Sequence, residues 1–109
     1  MLQMYAPFFE APPSILRKPD GSLLFECICS GSPQPTIQWF FKDKELNGPR
    51  YVSKIKKSVG KWTVTLIIKD PTQDDQGVYK VVATNNQGTH SIEQKYIHIC
   101  TADEIFKTQ

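Results

Sequence analysis

The sequence predicts an all-β chain folded as an antiparallel sandwich of two sheets, and three observations lead there. Apolar and polar residues alternate with period two, while the spacing of an amphipathic helix is nearly absent. Clusters of Gly, Pro, Asn and Asp interrupt this alternation about every 8 to 15 residues. The segments between them number seven or eight, each with one apolar face that a second layer must cover. An up-and-down barrel satisfies the same pattern and stays open as the alternative.

Each element can be read in order. The N-terminal "PFFEAPPSILRK" reads as a broken edge strand, because its prolines supply no amide hydrogens to a central ladder. "SLLFECICS" puts Leu23, Phe25, Cys27 and Cys29 on one strand face, and "GSPQP" turns the chain through Gly31, Pro33 and Pro35. "TIQWFFK" aligns Ile37, Trp39 and Phe41. The polar "DKELNGPR" is a turn region with a short strand around Leu46. "YVSKIKK" and "KWTVTLIIKD" are two strands joined near residues 58–60, the second aligning Trp62, Val64, Leu66 and Ile68. "PTQDDQG" is a loop, "VYKVVATN" a strand, "NQG" a tight turn, and "THSIEQKYIHI" the last long strand. Residues 6–100 read as one domain, 1–5 as an N-terminal extension or residues added for expression, and 101–109 as a tail or linker.

The totals narrow the function. With 109 residues, 39% hydrophobic, 22% charged and a net charge of +2, the chain holds one core. It lacks the basic excess of a nucleic-acid or anionic-membrane binder. No apolar run approaches the roughly 20 residues of a membrane span, and the start lacks the order of a secretory signal. The 3 cysteines (Cys27, Cys29, Cys100) are too few and oddly counted for a disulfide framework. No asparagine sits in an N-x-Ser/Thr acceptor. Both features lean towards a cytoplasmic setting.

Cys27 lies on the second strand and Trp39 on the third. The stretch "D-x-G-x-Y" (Asp75, Gly77, Tyr79) precedes the penultimate strand, which ends in "A-T-N-N-Q-G". Cysteine, tryptophan, tyrosine corner and hairpin glycine in this order resemble the immunoglobulin fold. "SGSPQPTIQWFFKDKEL" and "YKVVATNNQG" are similar to its I-set class, over residues 6–99. The resemblance implies a Greek-key sandwich in which Trp39 plugs the space between the sheets, with an indole N–H that needs a partner. Tyr79 sends its hydroxyl back to the preceding loop. Gly77 permits a close approach or a positive φ at that corner, and Gly88 supplies a left-handed residue at the hairpin. Asp75 accepts a charge-assisted bond, with Arg50 the candidate donor. Position 81 is where the family's second cysteine stands, paired across the core with the residue at Cys27. Here it is Val81, so no inter-sheet disulfide forms, and valine packs beside a thiol that behaves as a small hydrophobe.

Other chemistry recedes. Cys27 and Cys29 lie on one face about 6.6 Å apart by strand rise, where a bridge is strained. A zinc site from Cys27, Cys29, His98 and Cys100 would bury the metal inside the sandwich. Cys100, past the last strand, is a candidate for an intermolecular disulfide. His90 and His98 have no nucleophile near them in sequence and no catalytic motif is present, so the reading is a non-enzyme with no metal and no cofactor. The lysines of "KIKKSVGK" (Lys54, Lys56, Lys57, Lys61) form the single charge cluster. They read either as a solvated edge that resists aggregation or as a docking surface for acidic partners.

Within the I-set class, "APFFEAPPSILRKPDG" and "GKWTVTLIIKDPTQDDQGVYKVVATNNQGTH" are most similar to domains of giant muscle proteins, the twitchin, titin and obscurin-like group. That likeness implies a sarcomeric cytoskeletal module, a load-bearing spacer and docking domain. It implies neighbouring immunoglobulin or fibronectin-type domains in the same chain, and myofibrillar filament proteins as further partners. Load would pass through strand hydrogen bonds of residues 8–15 and 91–99, which shear together. Two alternatives stay open: a domain regulating an attached kinase, and an extracellular adhesion or receptor module, against which Val81 counts.

Overall fold

The computed structural model describes residues 3–99, so Cys100 and the tail 101–109 lie outside the described residues. The alternation of apolar and polar side chains becomes β1 (Tyr5–Phe9), β2 (Ser14–Arg17), β3 (Leu23–Ser32), β4 (Thr36–Phe41), β5 (Lys44–Glu45), β6 (Tyr51–Ser58), β7 (Lys61–Ile68), β8 (Gly77–Asn85) and β9 (Gly88–Tyr96). Among the described residues the strands form two sheets. One runs β1-β3-β7-β6 with β2 also on β3, and the other runs β5-β4-β8-β9. All the pairings are antiparallel.

Register decides which residues meet between the layers. Phe25 lies opposite Leu66, and Cys27 opposite Val64, on the inner face of the first sheet. Trp39 lies opposite Val81 on the second. Phe25 packs its ring 4.7 Å from that of Tyr79 and edge-on to Trp39 at 6.1 Å and 75°, an arrangement aromatic quadrupoles favour. Val64, Leu66, Ile68, Val81 and Ala83 complete a buried apolar interior.

Two local features differ from the sequence expectation. The loop "PTQDDQG" contains a 3-10 turn at Gln73–Asp75, because Thr72 and Asp75 cap it reciprocally. The short strand after β4 is Lys44–Glu45, while Leu46 only donates its N–H to Trp39 O at 2.9 Å. The left-handed residues of that hairpin are Lys42 (φ 50°) and Asp43 (φ 65°), neither of them glycine. Gly88 has φ 158°, a positive value that side chains rarely adopt and glycine accommodates. The Asn86 and Gln87 turn before it is held by the Asn85 side chain, whose Oδ1 accepts the Gln87 N–H at 2.8 Å. Glycine at position 88 also supplies space: a Cβ there would stand 3.2 Å from Ala6 Cβ.

The terminal strands are held as follows. The broken N-terminal strand pairs in both its pieces with β3, with a register shift between Tyr5 and Phe8. No ladder joins it to β9 among the described residues. Side chains make that link instead: His90 Nδ1 accepts the Phe9 N–H at 3.1 Å, and Gln94 Nε2 donates to Pro13 O at 3.0 Å. β9 itself stops at Tyr96, short of Ile99.

Candidate interaction surface

The opening of β8 is fixed by a polar lock under the sandwich. The Asp75 carboxylate accepts from Arg50 Nη1 at 2.9 Å and, closer still, from Arg50 Nη2, and it takes the Thr72 N–H at 2.8 Å. Arg50 is steadied by Lys69 O at 2.8 Å and Asp70 O at 3.0 Å. The Tyr79 hydroxyl donates to Asp75 O at 2.6 Å, so one residue anchors the tyrosine through its backbone and the arginine through its side chain. Gly77 sits between them at φ 147°, where a Cβ would lie 2.9 Å from Lys42 Cε and 3.0 Å from Phe41 Cε1. Burial pushes the Asp75 carboxyl up, but the Arg50 hydrogen bonds, the Thr72 amide and the Arg50 charge outweigh it and hold it below the usual carboxylate range. Burial raises the Tyr79 phenol. Tyr79→Phe is expected to lower stability by about 1 to 2 kcal/mol, through the acceptor left at Asp75 O. Urea denaturation checks this, and a loss near zero would remove the hydroxyl from the corner's energetics.

Across the core, Val81 is 0% exposed and Cys27 6%. Cys27 and Cys29 are both free thiols. Burial, helped by the fields of Cys29 and Glu26, pushes the Cys27 thiol up to about 12, so it is nearly devoid of reactive thiolate at neutral pH. Trp39 is buried with its Nε1 lacking an acceptor among the described residues, a cost the packing around the ring must offset. The other tryptophan, Trp62, donates its Nε1–H to Gly31 O at 2.9 Å. Sequence reasoning missed the polar cluster closing the far end of the core. There Arg17 Nη2 donates to Tyr96 Oη at 3.2 Å, and Tyr96 Oη lies 2.6 Å from His98 Nδ1. The signal was present in the spacing of Tyr96 and His98, which continues the inward face of β9. Among the described residues no group of His, Cys, Asp and Glu gathers to hold a metal.

The four lysines do not offer four equivalent free charges. Among the described residues β6 is the edge of its sheet, paired only with β7. Lys54 and Lys56 lie opposite Thr65 and Thr63 and point outward, whereas Ile55 between them lies opposite buried Val64. Lys57 places its ammonium 5.9 Å from the Trp62 ring centroid. Lys61 shares the outward row of Thr63 and Thr65, but its charge is paired with Glu10. Glu26 shares the Lys54 row through Thr65. The outward cationic feature is therefore Lys54 with Lys56, on an edge whose outer backbone groups are open.

Large apolar side chains are exposed at both ends of the sandwich. Met4, Tyr5 and Phe8 stand at one, where Tyr5 pairs with Ser32 at the end of β3. Ile97 and Ile99 stand at the other, where with Ile15, Arg17, Leu23 and Tyr96 they line a groove of about 610 Å³ near the start of β3. The 10 residues of β3 separate the two ends, about 30 Å by strand rise.

The model of the immunoglobulin I-set domain family matches residues 7–95. Among curated proteins, the muscle M-line assembly protein unc-89 of Caenorhabditis elegans is 37% identical over 93 residues, which is 84% of this chain and 1% of that protein. The neuronal-glial cell adhesion molecule of Gallus gallus is 38% identical over 69 residues, 63% of this chain and 5% of that protein. The chain thus spans a small fraction of the length of either relative. Among solved structures, the titin Ig tandem domains A164-A165 superpose with a TM-score of 0.65 at 30% identity, covering 86% of this chain and 47% of theirs. The two-sheet topology, the tyrosine corner at Asp75 and Tyr79, and the family match over residues 7–95 agree: the chain belongs to the immunoglobulin I-set family.

Proposed function

We propose that this chain is a load-bearing spacer and docking module of a giant sarcomeric protein, set in a tandem array of immunoglobulin or fibronectin-type domains in the cytoplasm of muscle. The observation that carries the reading is the exposed apolar side chains at opposite ends of β3: Met4, Tyr5 and Phe8 at one, Ile97 and Ile99 at the other. An isolated module leaves such groups in water, whereas abutting neighbours cover them. The likeness to a muscle M-line assembly protein and to titin tandem domains supports the setting. So does a core that closes over Val81 without a covalent bridge, as a reducing compartment requires.

Docking falls to the open edge of β6, where Lys54 and Lys56 offer two outward charges to an acidic partner on a filament protein. The test is co-sedimentation of the chain with washed myofibrils. The double variant Lys54→Glu, Lys56→Glu is expected to bind several-fold more weakly. Lys57→Glu, whose ammonium is turned to Trp62, should change little. Equal binding by the double variant and the wild type, or no binding by either, would sink the docking assignment.

The likeness to a neuronal-glial cell adhesion molecule favours a second reading, an extracellular adhesion module. Binding of this chain to cell surfaces with none to myofibrils would select it.

A further inference from the structure

We propose that Asn47 and Gly48 form a self-modifying site, at which the chain converts its own asparagine to isoaspartate and aspartate with water as the only co-reactant. The pair occupies the loop between β5 and β6, and both residues are exposed. Among the described residues the Asn47 side chain makes no hydrogen bond, and the Gly48 N–H is donated to no acceptor. The loop is pinned on either side of them, by Leu46 N to Trp39 O at 2.9 Å and by Tyr51 N to Gly48 O at 3.2 Å. The reacting groups are thus left unpaired between two fixed points. Gly48 has φ 104°, and the space where a Cβ would stand holds nothing within 4 Å. No side chain therefore shields its nitrogen from the neighbouring amide.

The chemistry balances. The Gly48 nitrogen gives its proton to solvent base and attacks Asn47 Cγ. The tetrahedral adduct expels the side-chain nitrogen as ammonia, leaving a five-membered succinimide. Water then opens the ring at either carbonyl, giving aspartate or isoaspartate. The other asparagines are restrained. Asn85 is held by three hydrogen bonds, Nδ2 to Tyr5 O and Pro33 O, and Oδ1 from the Gln87 N–H. Asn86 is followed by a glutamine, whose Nε2 donates to the Asn86 Oδ1. Reaction at Asn47 places a new carboxylate three positions before Arg50. In the isoaspartyl form it also lengthens the main chain by one methylene beside the Gly48 carbonyl that opens β6.

The folded chain, held at mildly alkaline pH, is digested and mapped by mass and by methyl transfer from an isoaspartyl methyltransferase, beside a urea-unfolded sample and the variant Asn47→Gln. The amide-to-acid mass gain and the methyl-accepting signal are expected at the Asn47 peptide of the folded wild type, ahead of Asn85 and Asn86, and both are lost in Asn47→Gln. Conversion in urea with none in the folded chain would show that the loop is protected, and would overturn the proposal. Equal conversion at Asn85 or Asn86, or a signal surviving in Asn47→Gln, would do the same.

Discussion

Replacing Asp75 by alanine is expected to lower the stability of this domain by about 3 kcal/mol, a large share of what a domain of this size possesses. The Asp75 side chain is 7% exposed and is shared by the Arg50 guanidinium and the Thr72 amide, so its removal strands both donors at once. The cost sits at the low end for a buried pair because the Arg50 side chain is 35% exposed, so water reclaims part of its charge. Asp75→Asn, which keeps the size and loses the charge, separates the ionic share from the packing. The two proteins should also differ in acid. The Asp75 carboxyl titrates lower in the folded chain than the ordinary value of about 3.9 in the unfolded chain. Its contribution is whole above that value and drains away as the pH falls through the folded pKa. Urea midpoints taken stepwise below about pH 4 should fall more steeply for the wild type than for Asp75→Asn. Parallel profiles would show that the lock contributes nothing through its charge.

Much of this arrangement is local in sequence and could be read there. The alternation in "SLLFECICS" and "KWTVTLIIKD" assigns the inner face of the first sheet directly, because a strand's faces alternate without exception until a bulge intervenes. The Tyr79 hydroxyl reaches back only four residues, so the spacing of Asp75 and Tyr79 carries the geometry with it. Contacts set by register across the molecule were another matter. Arg50 and Asp75 are 25 residues apart and could be paired only by charge. The ion pair of Lys61 with Glu10, 51 residues apart, was not visible at all, and it divides a lysine run that reads as continuous along the chain. The N-terminal strand was legible as broken, since Pro7, Pro12 and Pro13 interrupt it, but which sheet it joins depends on the edge that β3 leaves open. The hairpin glycine was legible as a positive-φ residue, but its second role was not. The Asn85 side chain carries the turn, and Gly88 is needed for clearance from Ala6, a residue distant in sequence.

The second large effect concerns the middle of the core, where the two sheets meet with no covalent bond between them. Val81 and Cys27 belong to opposite sheets and to one buried cluster. Val81→Cys is therefore expected to form a bridge to Cys27 and to raise stability by about 2 to 4 kcal/mol, by restricting the unfolded chain. Because burial leaves Cys27 with little thiolate, the bond should form during refolding in a glutathione redox buffer rather than by exposing the folded protein to air. Free thiols counted under denaturing conditions after such refolding give the most direct reading of whether these two positions face one another. A loss of two thiols per chain relative to the fully reduced variant, restored by reductant and absent in a Cys27→Ala background, is the result predicted here. An unchanged count would contradict the placing of Val81 and Cys27 opposite one another across the core, and with it the unbridged sandwich on which the muscle reading leans.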